Sequence, residues 1–247
     1  MAIRQIECKN SGLARRLFAL GVASLALLLS GCVFLRLLEL KLQLNKFDQN
    51  FTLRTDDGLV IICHKPVIRP DDVRWFGVMP ETIQQLGHAE QWQVRWVKQL
   101  PPGVTEPIEY DIILELGFAD KKLNRIGIPE RYFAVMPKPF LIGVLKSFGR
   151  GKIDQTEKSL ETSVTAPDVA SARPKLSAVD KLLGAPTEKR IEGPLTILRY
   201  RYLPATQESR AGVFDMILHF DRASGDLVVW QAVTPVGKLG FNFAKHE

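Results

Sequence analysis

An uncharged apolar run from Leu17 to Leu29, directly after the basic pair Arg15-Arg16, decides how much of this chain can enter a fold. As a helix this run is about 20 Å long, which is short of the ~30 Å hydrocarbon core of a bilayer. A basic start, a short apolar core and small residues at its end are typical of a secretory signal peptide. We therefore predict that residues 1–31 are removed on export and that the mature chain begins at residue 32.

Small residues close this run in the sequence Leu29-Ser30-Gly31-Cys32. These four residues resemble the bacterial lipobox, in which the cysteine thiol receives diacylglycerol and becomes the new N-terminus. The resemblance implies several acyl chains such as palmitate on Cys32, and several chains anchor a protein far more firmly than one does. The next residue is Val33 rather than Asp, which resembles the pattern sorted to the outer membrane. We expect a lipid-anchored protein of the bacterial cell envelope that faces the periplasm.

An uncleaved membrane anchor is the alternative interpretation of the same segment. The stretch from Leu17 to Leu35 would reach ~28 Å as a helix, which is just enough to span a bilayer. In both cases Arg15 and Arg16 stay in the cytoplasm and the rest of the chain lies outside. The compartment is therefore the same whichever anchor is used.

The composition of the chain points to a globular protein without a nucleic-acid partner. Hydrophobic residues make up 46% and charged residues 24% of the chain, which excludes a disordered protein. The net charge is +6, but residues 1–31 contribute +3 of it, and no Lys/Arg block with interleaved aromatics occurs. Cys63 is the one cysteine left in the mature chain besides Cys32, so an intramolecular disulfide is not expected.

The first half of the mature chain alternates between strand and helix patterns. Apolar residues alternate with polar ones from Leu38 to Leu44, which predicts a half-buried strand. Asp56-Asp57-Gly58 lies between two apolar runs and predicts a β-hairpin. Further elements are predicted as short helices from Arg69 and from Met79 to Gly87, strands over 92–96 and 110–118, a helix over 137–148, and a polar linker over 150–175.

Short sequence words recur after this linker. Leu86-Gly87 matches Leu183-Gly184, and Tyr110-Asp111 matches Phe214-Asp215 at the start of a strand. The matches predict an internal duplication with an N-terminal module over 32–149 and a C-terminal module over 176–247. Because Asp111 and Asp215 recur, we expect both to serve the fold, each worth ~1 kcal/mol.

The C-terminal module ends its first helix in Leu-Gly-Ala-Pro and continues with an aromatic strand, Phe214-Asp215 and a turn at Ser224-Gly225-Asp226. This order resembles the small BamE/SmpA-like outer-membrane lipoproteins, over residues 176–235 and more loosely over 80–128. The resemblance implies a short helical part on a small antiparallel sheet. The predicted fold class is therefore α+β, with two related modules of this kind and an extra N-terminal β-hairpin.

Residues that carry chemistry are sparse in this sequence. Cys63 lies in an apolar run, where a small buried hydrophobe is the expected role. His219 and Asp215 share a strand face but are ~13 Å apart, which is too far for joint ligation of one metal. No catalytic or phosphate-binding motif occurs. We predict no catalytic residue, no cofactor and no metal, and we treat all four histidines as ordinary surface groups, namely His64, His88, His219 and His246.

Two apolar features remain as candidate contact surfaces. Trp92 and Trp96 share one strand face and form either a partner face or part of the core. The predicted helix around Phe140–Phe148 packs between the modules or lies against the membrane. The sequence thus predicts a non-catalytic binding or scaffolding protein with a protein or lipid partner in the envelope, including a role in outer-membrane assembly or maintenance. The alternative is an envelope hydrolase whose site is assembled from distant residues.

Overall fold

The computed structural model describes residues 33–55, 58–134, 142–146, 149, 152–154, 159–164, 173–209 and 211–243. The helices are α1 (Val33–Asn45), α2 (Phe47–Asn50), α3 (Pro70–Trp75) and α4 (Leu176–Leu183). Two 3-10 helices cover Ile108–Tyr110 and Glu130–Ala134, and residues 142–146 are helical. The strands are β1 (Phe51–Arg54), β2 (Leu59–Cys63), β3 (Thr82–Leu86), β4 (Ala89–Lys98), β5 (Ile112–Ala119), β6 (Lys122–Ile128), β7 (Lys152–Asp154), β8 (Ser159–Val164), β9 (Glu188–Glu192), β10 (Leu195–Pro204), β11 (Phe214–Asp221), β12 (Leu227–Thr234) and β13 (Gly237–Asn242).

The described strands form one large sheet, so the predicted fold class of two separate helix-on-sheet modules is wrong. The strand order is β1-β2-β6-β5-β4-β10-β11-β12-β13-β8-β7, and β3 and β9 pair with β4 and β10 beside this path. Neighbouring strands are antiparallel, except for β8 and β13, which are parallel. The predicted N-terminal hairpin is present as β1 and β2.

The lengths of the strands explain why two sheets become one. β4 and β10 each have ten residues, but their hairpin partners β3 and β9 have five. The second half of each long strand therefore has a free edge, and unpaired strand edges are ready templates for pairing. The two free edges pair with each other through Trp96↔Pro204, Val97↔Leu203 and Lys98↔Tyr202.

Two meanders, β3–β6 and β9–β12, run outward from this junction with the same strand order. The tight turns at Gly87 and Gly193 close their first hairpins. An irregularity in register lies between Gly117 and Phe118 in β5, and a similar one lies between His219 and Phe220 in β11. The pairing of β4 with β10 is centred on Val97 and Leu203, so the meanders meet about an approximate two-fold axis. Common origin by duplication remains a prediction.

The leucine-rich segment after Val33 is a helix, so the predicted strand from Leu38 to Leu44 is wrong. Leu37, Leu40 and Leu44 face the core, at the i, i+3, i+7 spacing of a helix. The opposite side of α1 carries three further leucines, which are exposed; we call this side the leucine face (Leu35, Leu38 and Leu42). Leucines on both sides of a helix produce an apparent period of two, which explains the incorrect prediction.

Other local predictions have mixed outcomes. A short helix after Arg69 is confirmed as α3, with Pro70 at its first position. The predicted helix from Met79 to Gly87 is wrong, because this stretch forms β3 and the turn into β4. Residues 142–146 of the predicted 137–148 helix are helical, and the other residues of that segment lie outside the described part of the chain. The predicted linker contains β7 and β8.

The main core lies on one side of the sheet, which we call the inner face. Alternate residues of the central strands point there, and the largest buried side chains among them are Trp92, Phe118, Tyr200, Tyr202 and Phe220. A smaller core under the first hairpin joins α1 and α2 to β1 and β2 through Leu44, Phe47, Phe51, Leu59 and Ile61. Within the described part of the chain, no helix has the length and apolar character needed to cross a membrane.

Candidate apolar binding site

A cavity of about 200 Å³ lies between the inner face of the sheet and α4. Residues from β5 and β6 line one side, and residues from β11 and β12 line the other. Because β4 and β10 lie between these pairs in the sheet, the sheet must curve around the cavity. The lining residues are Ile112, Leu114, Ile128, Tyr132, Pro174, Val179, Leu183, Phe214, Met216, Leu218, Leu227 and Trp230.

Helix α4 forms one wall of this cavity. Val179, Leu182 and Leu183 are spaced at i, i+3 and i+4, so all three face inward. The start of the helix is fixed to the β11–β12 turn, because the Leu176 N–H donates to the Gly225 carbonyl at 2.9 Å. The second meander therefore both lines one side of the cavity and supports the start of α4.

The hydroxyl of Tyr132, a polar group of the lining, is engaged in two hydrogen bonds. It donates to the Asp111 carbonyl at 3.0 Å and accepts from the Arg131 guanidinium at 2.9 Å. Burial raises the pKa of Tyr132, so the phenol stays neutral. With its hydroxyl engaged in this way, Tyr132 presents its ring to the cavity.

A buried ion pair holds the other end of α4. Lys98 Nζ donates to Glu106 Oε2 at 2.6 Å and to the carbonyl of Leu183, the last residue of the helix. Glu106 Oε1 accepts the N–H of Ala185 at 2.6 Å. The Lys98 side chain is 3% exposed, and burial lowers its pKa although Glu106 opposes that effect. This pair ties β4 of the first meander to the helix that precedes the second.

Asp111 fixes the strand next to this ion pair. Its carboxylate accepts the backbone N–H of Lys98 at 2.9 Å and a guanidinium N–H of Arg95 at 3.2 Å. In the second meander, Asp215 binds Arg199 through both carboxylate oxygens at 3.0 and 2.6 Å. Both carboxylates are thus bound to an arginine of the neighbouring strand.

The described lining can bind an apolar group but has no residue to perform acid–base or nucleophilic chemistry. It contains no carboxylate, amine, imidazole or thiol. An apolar cavity of ~150 Å³ is large enough to bind benzene, whereas pockets for whole drug-sized ligands have ~300–1,000 Å³. A cavity of about 200 Å³ therefore suits a short apolar segment, such as the end of one acyl chain.

The residues singled out in the sequence do not converge on this cavity. Trp92 and Trp96 are 0% and 3% exposed, so both lie in the core and neither offers a surface for a partner. Trp96 donates its indole N–H to the Gly212 carbonyl at 3.0 Å. Cys32, the predicted lipid site, lies outside the described residues.

The titratable residues considered for chemistry lie apart from one another. His64 contacts Thr52 at 2.8 Å, and burial raises the pKa of the Cys63 thiol, which keeps it protonated. His219 lies half-buried on the side of the sheet opposite the inner face, and burial lowers its pKa. His246 lies outside the described residues. Among the described residues, no group of three or more His, Cys, Asp or Glu side chains could hold a metal ion.

Sequence reasoning missed Lys98 and Glu106. One signal was present, because Lys98 follows Trp92, Val94 and Trp96 at every second position and therefore points to the inner face. A lysine in a core-facing position requires a partner, since an unpaired buried charge is costly. The sequence contained no comparable signal for its partner, because Glu106 lies in a loop.

Comparison of the whole chain with protein-family models, with curated protein sequences and with solved structures returned no significant match to any of the three.

Proposed function

We propose that this chain is a lipid-anchored protein of the bacterial cell envelope that binds an apolar segment, most simply the end of an acyl chain, without catalysing a reaction on it. The observation that carries the proposal is the cavity next to α4, whose lining is apolar and contains no carboxylate, amine, imidazole or thiol. Each methylene group moved from water into such a site contributes ~0.8 kcal/mol to binding. A ligand with a long hydrocarbon chain can therefore bind without any polar contact.

The lining also argues for a flexible ligand. Aliphatic, aromatic and thioether groups surround the space, and the methionine side chain of Met216 adapts its shape to irregular neighbours. The end of a single acyl chain is slender and fits a cavity of about 200 Å³. The polar head of the ligand then remains outside the cavity.

The lipid anchor supplies the setting for this binding. A signal-like segment followed by Leu29-Ser30-Gly31-Cys32 supports lipid attachment to Cys32. A protein held on a membrane meets molecules that carry acyl chains at high local concentration. Anchoring and apolar binding are therefore compatible parts of one function.

The cavity is tested with the full chain in cells that are fed a fatty acid carrying a photoactivatable group at the end of its chain. After illumination, we expect adducts on peptides that contain Val179, Leu183 or Met216. The Val179→Phe variant fills the cavity and should lose most of these adducts. Val73→Phe is the matched control, because Val73 is buried on α3 but does not line the cavity.

The adduct yields are compared only between chains that are folded, so the folding of both variants is measured as well. Each substitution adds volume to a packed region and costs ~1–3 kcal/mol, so both variants are compared by circular dichroism. Undiminished adducts on the lining peptides of a folded Val179→Phe variant would refute the proposed ligand site. Adducts distributed evenly over the exposed peptides of the wild-type chain would refute it as well.

The anchor is tested separately by the Cys32→Ala variant. Cells are labelled with a fatty-acid probe, and the chain is isolated and examined for covalent label. We expect the wild-type chain to carry the label and the variant to lack it. Label that persists on Cys32→Ala would show that the lipid is attached elsewhere and would refute this part of the proposal.

A further inference from the structure

Helix α1 carries an apolar surface that the folded body does not cover. Its leucine face lies opposite the side that packs on the core, and Leu42 is 66% exposed. The outer side of a surface helix in a soluble domain is normally polar, and a patch of exposed apolar residues marks a contact surface. The leucine face therefore requires an occupant.

The position of α1 in the chain indicates which occupant is close enough. α1 begins at Val33, directly after the predicted lipid site. Even a fully extended backbone places Leu35 no more than roughly 11 Å from Cys32. The polar region of one leaflet is itself only about 5–7 Å thick. With acyl chains on Cys32, the start of the leucine face cannot move away from the membrane surface.

Specific contacts hold α1 in one orientation on the body. Arg36 forms two hydrogen bonds with the buried carboxylate of Asp72, at 2.7 and 2.5 Å. Gln43 donates to the Lys65 carbonyl at 2.9 Å near the other end of the helix. Phe34 packs edge-on against Trp75, with 5.5 Å between ring centroids. Because both ends are fixed, α1 cannot rotate to bury the leucine face in the protein.

We infer that the bilayer surface covers the leucine face of α1, so that this helix lies in the membrane interface and sets the orientation of the folded body. The inference rests on the proposed lipid attachment at Cys32, which brings the helix to the bilayer. The lipid alone would leave the body free to tilt. Leucines at three positions of a rigidly attached helix restrict that tilt, because each loses contact with the interface when the body turns away.

The test measures the depth of a spin label on the full, lipidated chain in vesicles of phosphatidylethanolamine and phosphatidylglycerol. Leu42→Cys places the label on the leucine face, in a chain in which Cys63 is replaced by Ala. Leu86→Cys is the matched control, because Leu86 is also a leucine, is 59% exposed and lies on β3. We expect a water-soluble nickel chelate to relax the label at position 42 several-fold less than the label at position 86.

The possible outcomes separate this inference from the anchor. Equal accessibility of both labels, on a chain whose Cys32 carries lipid, overturns the membrane contact and leaves the anchor in place. Strong dipolar broadening at position 42 shows that a second copy covers the leucine face, and this also overturns the inference. Absence of lipid on Cys32, read from the mass of the N-terminal peptide, instead refutes the anchor on which the inference rests.

Discussion

The two meanders place an arginine–aspartate pair at the same local position, yet the two pairs differ in their surroundings. Arg95 of β4 bonds to Asp111, which directly precedes β5, and Arg199 of β10 bonds to Asp215 of β11. The Asp111 side chain is 8% exposed and also accepts the backbone N–H of Lys98, whereas the Asp215 side chain is 18% exposed. The same sequence word therefore carries a different structural role in each meander.

The junction between the meanders shows the same contrast more strongly. Lys98 at the end of β4 is buried and paired with Glu106, while the corresponding position of β10 carries Tyr202. At the junction, the first meander thus carries a buried charge that holds α4, and the second meander carries an uncharged residue. The approximate symmetry of the backbone therefore does not extend to the residues that fix the cavity wall.

The largest expected effect comes from breaking the buried ion pair. Lys98→Ala leaves Glu106 without its cation, and removal of one partner of a buried pair costs ~3–5 kcal/mol. We expect a loss near ~3 kcal/mol in the free energy of unfolding, because Glu106 keeps the Ala185 N–H as a donor. Chemical denaturation of the chain measures this loss.

A double substitution provides the control for this prediction. Lys98→Met combined with Glu106→Gln removes both charges, and replacing a whole buried pair is often close to neutral. We expect the double variant to be more stable than Lys98→Ala. If Lys98→Ala costs less than ~1 kcal/mol, or the double variant is the less stable of the two, the ion pair does not hold α4.

The second prediction compares the two aspartates directly. Asp111→Asn removes charge-assisted hydrogen bonds in a buried position and should cost ~2 kcal/mol. Asp215→Asn disrupts a more exposed pair and should cost ~0.5–1 kcal/mol. Thermal unfolding measures both values. Equal losses would mean that burial does not distinguish the two pairs and would favour the value of ~1 kcal/mol expected for each from the sequence.

The third prediction concerns a feature that the two meanders share. Gly87 and Gly193 have φ values of 64° and 56°, and an added Cβ would meet no atom within 4 Å at either position. The cost of Gly→Ala therefore comes from the left-handed backbone and should be ~1 kcal/mol at both sites. A difference well above ~0.5 kcal/mol between the two variants would show that the hairpins are not equivalent.

The smallest effect is expected from a residue of the second meander alone. Burial lowers the pKa of His219, whereas Glu115 occupies the corresponding place in β5. Between the lowered pKa of the folded chain and the unfolded pKa of ~6.5, the unfolded chain binds more protons than the folded chain, so stability rises with pH across this window. His219→Gln should flatten this part of the stability curve. If the His219→Gln variant keeps the same dependence of stability on pH, another titratable group causes it.

Local patterns in the sequence predicted part of the fold and little of the candidate site. The turn at Asp56-Asp57-Gly58 predicted the first hairpin, and Pro70 predicted the start of α3, because both depend on backbone preferences of neighbouring residues. The segment from Leu38 to Leu44 was misassigned because α1 is apolar on two sides. Cavity residues such as Val179 and Met216 carry no individual signal, since a lining residue has the same pattern as any core residue.

The sequence by itself determined the predicted export segment, the alternation that places Trp92, Val94 and Trp96 on one face, and the recurrence of Asp111 and Asp215. Each of these is recognised from a short pattern of residues that are close together in the chain. The tertiary structure decided that the meanders merge through Val97 and Leu203, and that the flanks of both meanders line the same cavity. These features depend on which free edges and apolar faces meet across long separations in the chain. Such pairings are settled by competition among all exposed edges and apolar surfaces, and no local pattern encodes the result.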